Sequence, residues 1–246
     1  MRSSIIESNL DWHLTIQGEQ WMQGQAIQGE LKIANKSDIV QTVLNPRLLI
    51  AYVDIKKFKS LDEKSFKEIH PILFSTVELA AKESKIFPWN YQLDLNSYIT
   101  DKKHSLYILW GDLSKKIPAS LMLSITPHQS IMKVLETWEV FFRFTKKDCI
   151  SLKDNSLEIK LSPPHSKEFA TMECLKLKIK QSDKKLNIFA TAELKKIKAD
   201  TTGMSLVKSE KKHEVTWDEK QYLLMPGHLN QDFLQNEIKS LIAQVK

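Results

Sequence analysis

Apolar and polar residues alternate with a period of two along most of this chain, and no other feature limits its possible folds so tightly. Side chains two apart share a face of an extended strand, whereas a helix needs a repeat near 3.6. Trp12, Leu14 and Ile16 oppose His13, Thr15 and Gln17; Ile27, Leu31 and Ile33 oppose Gln28, Glu30 and Lys32. The cleanest case is Ala119, Leu121, Leu123 and Ile125 against Ser120, Met122 and Ser124. Further on, Leu157, Ile159 and Leu161 alternate, and Leu175, Leu177 and Ile179 alternate with Lys176, Lys178 and Lys180. The polar stretch QSDKK then turns the chain back into Leu186, Ile188, Ala190, Ala192 and Leu194, the pattern of a hairpin. Two nearly continuous apolar runs, residues 43–58 and 105–111, suit strands covered on both sides. Many strands joined by short turns, with too few helices for βαβ units, predict an all-β protein of antiparallel sandwiches.

Between Ser60 and Ala81 the two periods compete. Ser60 with Glu63 has the form of a helix capping box, and Phe66, Ile69 and Leu73 roughly follow a helical repeat. Pro71 would break that helix, so strands are expected. Two helices are better supported. Thr126, Pro127 and Gln129 resemble a cap, a first-turn proline and a capping-box partner ahead of Ile131, Val134, Leu135 and Trp138. At the other end, Asn230 caps a stripe of Phe233, Leu234, Ile238, Leu241, Ile242 and Val245. A chain of 246 residues exceeds the size of most single cores. The polar break at residues 111–118 divides it into domains at 1–116 and 117–228, followed by a C-terminal amphipathic helix at 229–246.

The stretch GEQWMQGQAIQGELKIAN, residues 18–35, places a turn glycine at Gly24, then Ile27, Gly29, Leu31 and Ile33. This order resembles the first hairpin of arrestin-like domains. LLIAYVDIKK falls where that fold has a long central strand, and SLYILWGDLSKKIPASLMLSITP resembles the passage toward the second domain. PHQSIMKVLETWEVFFRF is similar to the short helix and following aromatic strand of the bacterial sporulation-control family, which is arrestin-like, and CLKLKIKQSDKKLNIFATAEL fits that family's hairpin. The resemblance spans about residues 10–220 and departs from the family at Met22, Gln23 and Leu95, where prolines are usual, and at the ELKK that closes the hairpin. It implies two arrestin-like β-sandwich domains with a short helix in the second. It also implies a non-enzymatic adaptor or scaffold, mediating protein–protein interactions in bacterial developmental or stress regulation.

The residues themselves point away from catalysis. G-x-S-x-G, P-loop, H-E-x-x-H and dinucleotide glycine motifs are all missing from a sequence with six glycines. Cys149 and Cys174 lack the spacing of a zinc site or a disulfide framework, so no metal or cofactor is expected. The HSKE of residues 165–168 reads as solvated surface after two prolines. No apolar run reaches the roughly 18 residues of a membrane span, and MRSSIIESNLDWHL has too short an apolar stretch for a signal peptide; the expected location is cytoplasmic.

The net charge of +6 is concentrated in residues 117–246 and is nearly all lysine, since arginine occurs only at 2, 47 and 143. Lys176, Lys178, Lys180, Lys184 and Lys185 are the candidate site for an acidic partner; the competing reading is that they guard a sheet edge. An electrostatic binder of nucleic acid or anionic membrane through this basic half is the alternative function. Lysine lacks the planar fork that reads phosphates and guanines, which weakens the nucleic-acid version. Cys174, beside Lys176 and Lys178, is either a redox-sensitive thiol or packed filler. Trp21 and Trp89, in turn contexts, are candidate exposed aromatic anchors, weighed against packing in the core.

Overall fold

The computed structural model describes residues 1–59, 65–111, 119–182, 184–200, 203–225 and 227–246. They form two compact units, Met1–Thr126 and Pro127–Lys246. The domain boundary expected at residue 116 and the Ser60–Glu63 box lie outside the described residues.

In the first unit the strands are β1 (Arg2–Glu7), β2 (Leu10–Ile16), β3 (Gln20–Met22), β4 (Ala26–Asn35), β5 (Gln41–Val43) and β6 (Arg47–Asp54). After the short helix α1 (Ile55–Lys59) come β7 (Phe66–Leu73), β8 (Val77–Leu79), β9 (Ser84–Gln92), β10 (His104–Trp110) and β11 (Ala119–Thr126). They assemble into a four-stranded sheet, β1-β2-β4-β9, a five-stranded sheet, β3-β11-β10-β6-β7, and a small β5-β8 pair. Alternation explains the layering: Trp12, Leu14, Ile16, Ile27, Leu31 and Ile33 from the first sheet share one buried cluster with Leu48, Ile50, Ile108, Leu123 and Ile125 from the second. The region of competing periods is extended, as expected, in β7 and β8. Pro71 sits in β7, the edge strand, where a missing N–H is tolerated.

The turns are set by residues that adopt positive φ cheaply. Ser8 and Asn9, at φ 50° and 64°, make the two-residue hairpin between β1 and β2. Gly24, at φ 81°, bends the chain between β3 and β4, where the Gln25 N–H donates to the Met22 carbonyl at 3.0 Å. Gly29 pairs across the ladder with Trp89, whose ring lies over the glycine backbone.

The second unit is one antiparallel sheet, β12 (Thr145–Ser151), β13 (Leu157–Ser162), β14 (Met172–Ser182), β15 (Lys185–Asp200) and β16 (Gly203–Asp218), in that order. Around it are α2 (Gln129–Val140), α3 (Glu219–Tyr222), the pair β17 (Leu223–Met225) and β18 (His228–Leu229), and α4 (Gln231–Val245). Here helices supply the second layer: α4 packs on β15 and β16, and α2 on α4. Both expected apolar stripes are buried, Ile131, Val134, Leu135 and Trp138 in α2 and Leu234, Ile238, Leu241, Ile242 and Val245 in α4. The Trp217 indole N–H donates to Glu237 of α4 at 3.3 Å, so the C-terminal helix docks on its own unit.

Two local expectations change. Thr126 does not cap α2; it ends β11, its carbonyl accepting from the Gln23 N–H and its hydroxyl donating to the Trp21 carbonyl. His128 is the cap instead, its Nδ1 accepting from the Ser130 N–H at 3.3 Å, because β11 consumes Thr126 first. The aromatic segment after α2 is a turn rather than a strand: Phe141 is exposed, Arg143 has φ 58°, and only Phe144 is buried, against Trp138 and Phe169.

A methyl group at Gly29 would stand 2.3 Å from the Thr15 carbonyl oxygen and 2.6 Å from the Trp89 ring. Gly29→Ala should therefore destabilise the first unit by about 1–3 kcal/mol through overpacking. Urea unfolding should show a lower midpoint at unchanged slope.

Candidate functional site

A broad concavity opens at the end of the first unit away from Thr126. Its volume is about 880 Å³. Three chain segments converge there: the Ser8–Asn9 hairpin, the β5–β6 connection through Leu44, Asn45 and Pro46, and the end of β7 at Leu73. The floor is continuous with the core, formed by Leu10, Trp12 and Val43. The rim is apolar and open: Leu44 is 74% exposed and Leu73 is 68% exposed.

The rim is held by hydrogen bonds rather than by packing. Asn45, at φ 45°, donates its N–H to the Thr76 hydroxyl at 3.1 Å, and that hydroxyl donates back to Asn45 Oδ1 at 3.1 Å. The Phe74 N–H donates to the Pro46 carbonyl at 2.9 Å. Two of the polar groups that line the concavity are buried. The carboxylate of Glu7 is 8% exposed and lies against Gly111, where a Cβ would meet its Oε2 at 2.8 Å. Trp12 is 5% exposed, and its indole N–H has no hydrogen-bond partner. Gly111 has φ 88°, a backbone conformation that favours glycine there.

Of the five lysines singled out from the sequence, three are engaged with acidic side chains or a carbonyl. Lys176 pairs with Glu193 at 2.5 Å and Lys178 with Asp154 at 2.6 Å, while Lys180 donates to the Asp154 carbonyl at 3.2 Å. Lys184 and Lys185 are exposed at the β14–β15 turn. The edge-guard reading is corrected: β14 is the central strand of its sheet, hydrogen-bonded on both sides, and has no free edge to guard.

Trp21 and Trp89 are not exposed anchors. They are 4% and 6% exposed and belong to the first unit's core, since β3 joins β11 and Trp89 packs on Gly29. Cys174 is buried, and burial, together with the Glu193 carboxylate beside it, pushes its thiol up to about 11. Both weigh against the redox-sensitive reading, since the neighbouring ammonium of Lys176 is already paired with Glu193. In HSKE, Glu168 pairs with Lys246 at 2.8 Å, and the Lys246 ammonium lies over the Phe169 ring. Its role there is to fasten α4. Among the described residues, no group of three or more His, Cys, Asp or Glu side chains is placed to hold a metal.

No protein-family profile and no curated protein matches this sequence. Among solved structures, the chain is similar to the sporulation control protein Spo0M from Bacillus subtilis. The TM-score is 0.64 over 97% of this chain and 99% of that one, at 13% sequence identity. The likeness supports an arrestin-like β-sandwich fold. A β-glucosidase from Listeria innocua (TM-score 0.31, 14% identity, 50% of this chain and 17% of that) aligns over only part of the chain. So does a DNA-bound alkylpurine DNA glycosylase from Pseudomonas fluorescens (TM-score 0.30, 10% identity, 48% and 30%). Neither is close enough to carry an argument.

Two measurements follow from these side chains. Near neutral pH, a thiol reagent should modify half-buried Cys149 in the native protein and leave Cys174 silent until denaturant is added. In acid, the ion pairs of the second unit should fail. Lys178 and Ser156 hold the Asp154 carboxyl far below the usual range, and Lys176 and the Cys174 thiol lower Glu193. Because the folded values lie below the unfolded ones, this stabilisation is complete above about pH 4 and is lost as pH falls through the depressed values. The loss of melting temperature between about pH 7 and about pH 3 should therefore be smaller in Asp154→Asn than in the parent.

Proposed function

We propose that this protein is a non-enzymatic, arrestin-like adaptor, akin to the sporulation-control regulators, which acts inside a bacterial cell by binding other proteins in developmental or stress regulation. The observation that carries this reading is the end-to-end correspondence with Spo0M, which takes in 97% of this chain and 99% of the other. The most accessible features of the first unit suit an adaptor: apolar side chains stand exposed beside an open cleft rather than enclosing a reaction centre. Among the described residues, no helix is long and apolar enough to cross a membrane.

The ion pairing of Lys176 and Lys178 weighs against an electrostatic binder of nucleic acid or anionic lipid. Those ammonium groups would have to give up Glu193 and Asp154 before meeting a phosphate.

Crosslinked affinity capture with the full chain, compared with binding to duplex DNA and to phosphatidylserine vesicles at low and high salt, tests the choice. The adaptor reading expects a reproducible set of protein partners that survives salt, and no DNA or vesicle binding. Steeply salt-dependent binding to DNA or vesicles without such partners would replace it with the electrostatic reading.

A further inference from the structure

We infer that β16 is a self-association edge: two copies of this chain pair antiparallel along it, about a two-fold axis at Lys211, and so join their second-unit sheets edge to edge. This goes beyond the adaptor reading and does not rest on it. β16 runs from Gly203 to Asp218 and, among the described residues, is bonded to a strand on one side only, β15. The backbone N–H and C=O groups of its other side are a template for a further strand. Lys208, Glu210, Lys212, Glu214 and Thr216 along it are all exposed.

The other edges of the large sheets are short or interrupted. β1 and β3 have six and three residues. β7 and β9 carry Pro71 and Pro88, and β12 bulges between Lys146 and Asp148, devices that discourage pairing. β16 has 16 residues and no proline, and its register with β15 is unbroken from Lys185–Asp218 to Asp200–Gly203.

Charge order along the strand specifies the occupant. Lysine alone would guard this edge, because a second copy would set like charges opposite each other. Here the signs invert across Lys211. With Lys211 on the axis, Lys208 of one copy faces Glu214 of the other and Glu210 faces Lys212, each twice, while Val207 meets Val215 on the opposite face. Centring the pair on Glu210 would instead set Lys208 against Lys212, and centring it on Lys212 would set Glu210 against Glu214. The side chains suit that one register. Glu214 has no ionic partner among the described residues, and Lys208 shares Glu173 with Lys195. Glu210 and Lys212, paired at 3.2 Å within the chain, would join their copies in a four-membered ladder. The Lys211 ammonium donates to the Lys246 carbonyl of its own chain, which draws it off the axis.

The test is the mass of the full-length protein by sedimentation equilibrium, from about 1 to about 500 μM, where the parent should dimerise reversibly. Glu214→Lys sets two lysines against each other at both ends of the ladder, and Lys208→Glu sets two glutamates there. Each change is at an exposed position, and each should weaken self-association at least about tenfold without altering the melting temperature. Mixed in equal amounts, the two variants regain both pairs and should associate as tightly as the parent. The double variant Lys208→Glu/Glu214→Lys reverses both charges and should self-associate again, which carries the same test should either single variant fold poorly.

A parent that stays monomeric at about 500 μM overturns the inference. So does a dimer that neither single variant weakens, or a loss that neither mixing nor the double variant repairs. Captured protein partners bear on the adaptor reading alone, and the mass of the purified chain bears on this edge alone.

Discussion

Each large sheet in this protein has an apolar face, and the β3-β11-β10-β6-β7 sheet has two, so the whole architecture depends on covering them. In the first unit the cover is a second sheet, so side chains from β4 and β6 meet in one core. In the second unit it is helical, α4 lying on β15 and β16 and α2 on α4. The same requirement explains why α4 is fastened so firmly: Leu234, Ile238 and Leu241 are almost fully buried, and the Trp217–Glu237 hydrogen bond and the Glu168–Lys246 ion pair secure it along its length. At about 25 cal/mol per Å² of apolar area, side chains of this size each contribute on the order of 1.5–3 kcal/mol. Ion pairs at the surface contribute far less.

The alternation that dictates the sheets was readable residue by residue, and so were the strand pairings joined by tight turns. Leu175–Ile179 with Leu186–Leu194 is a hairpin and Gly24 turns the chain, both as expected, while Gly29 admits the Trp89 ring. What sequence alone could not supply was the neighbour of each strand. The lysines that line β14 suit an edge strand, yet strand order puts it at the centre. Trp21 and Trp89 stand beside turn residues, but a parallel pairing with β11 for one and a glycine across the ladder for the other draw both inside. Non-local pairing decides burial, and nothing within a few residues of either tryptophan records it.

The same reasoning separates charge from electrostatic function. A surplus of lysine on one strand looks like a patch when the strand is read alone. In the sheet, β13 and β15 and the turn before β13 bring Glu193 and Asp154 alongside, and the depressed carboxyls are the counterpart of those pairs. Cys174 belongs to this arrangement: Glu193, which neutralises Lys176, also keeps the thiol protonated. A net charge counted over half a chain therefore says little about the potential at any one strand.

The cleft was the least legible feature for a related reason. Its turn residues are recognisable singly, Ser8–Asn9 and Asn45–Pro46 being ordinary turn pairs. Their convergence at one end of one sandwich is a property of strand order, because β1, β5, β6, β7 and β10 are brought to that end from across a hundred residues of chain. Once they meet, the end of a sandwich differs physically from its faces. The faces are committed to the core or to solvent by the pleat, whereas the ends carry loops whose side chains escape the alternation. Leu44 and Leu73 are exposed there despite their hydrophobicity, and Glu7 is buried there despite its charge. Both rules reverse in the same few residues because strand ends and loops, not strand faces, supply them.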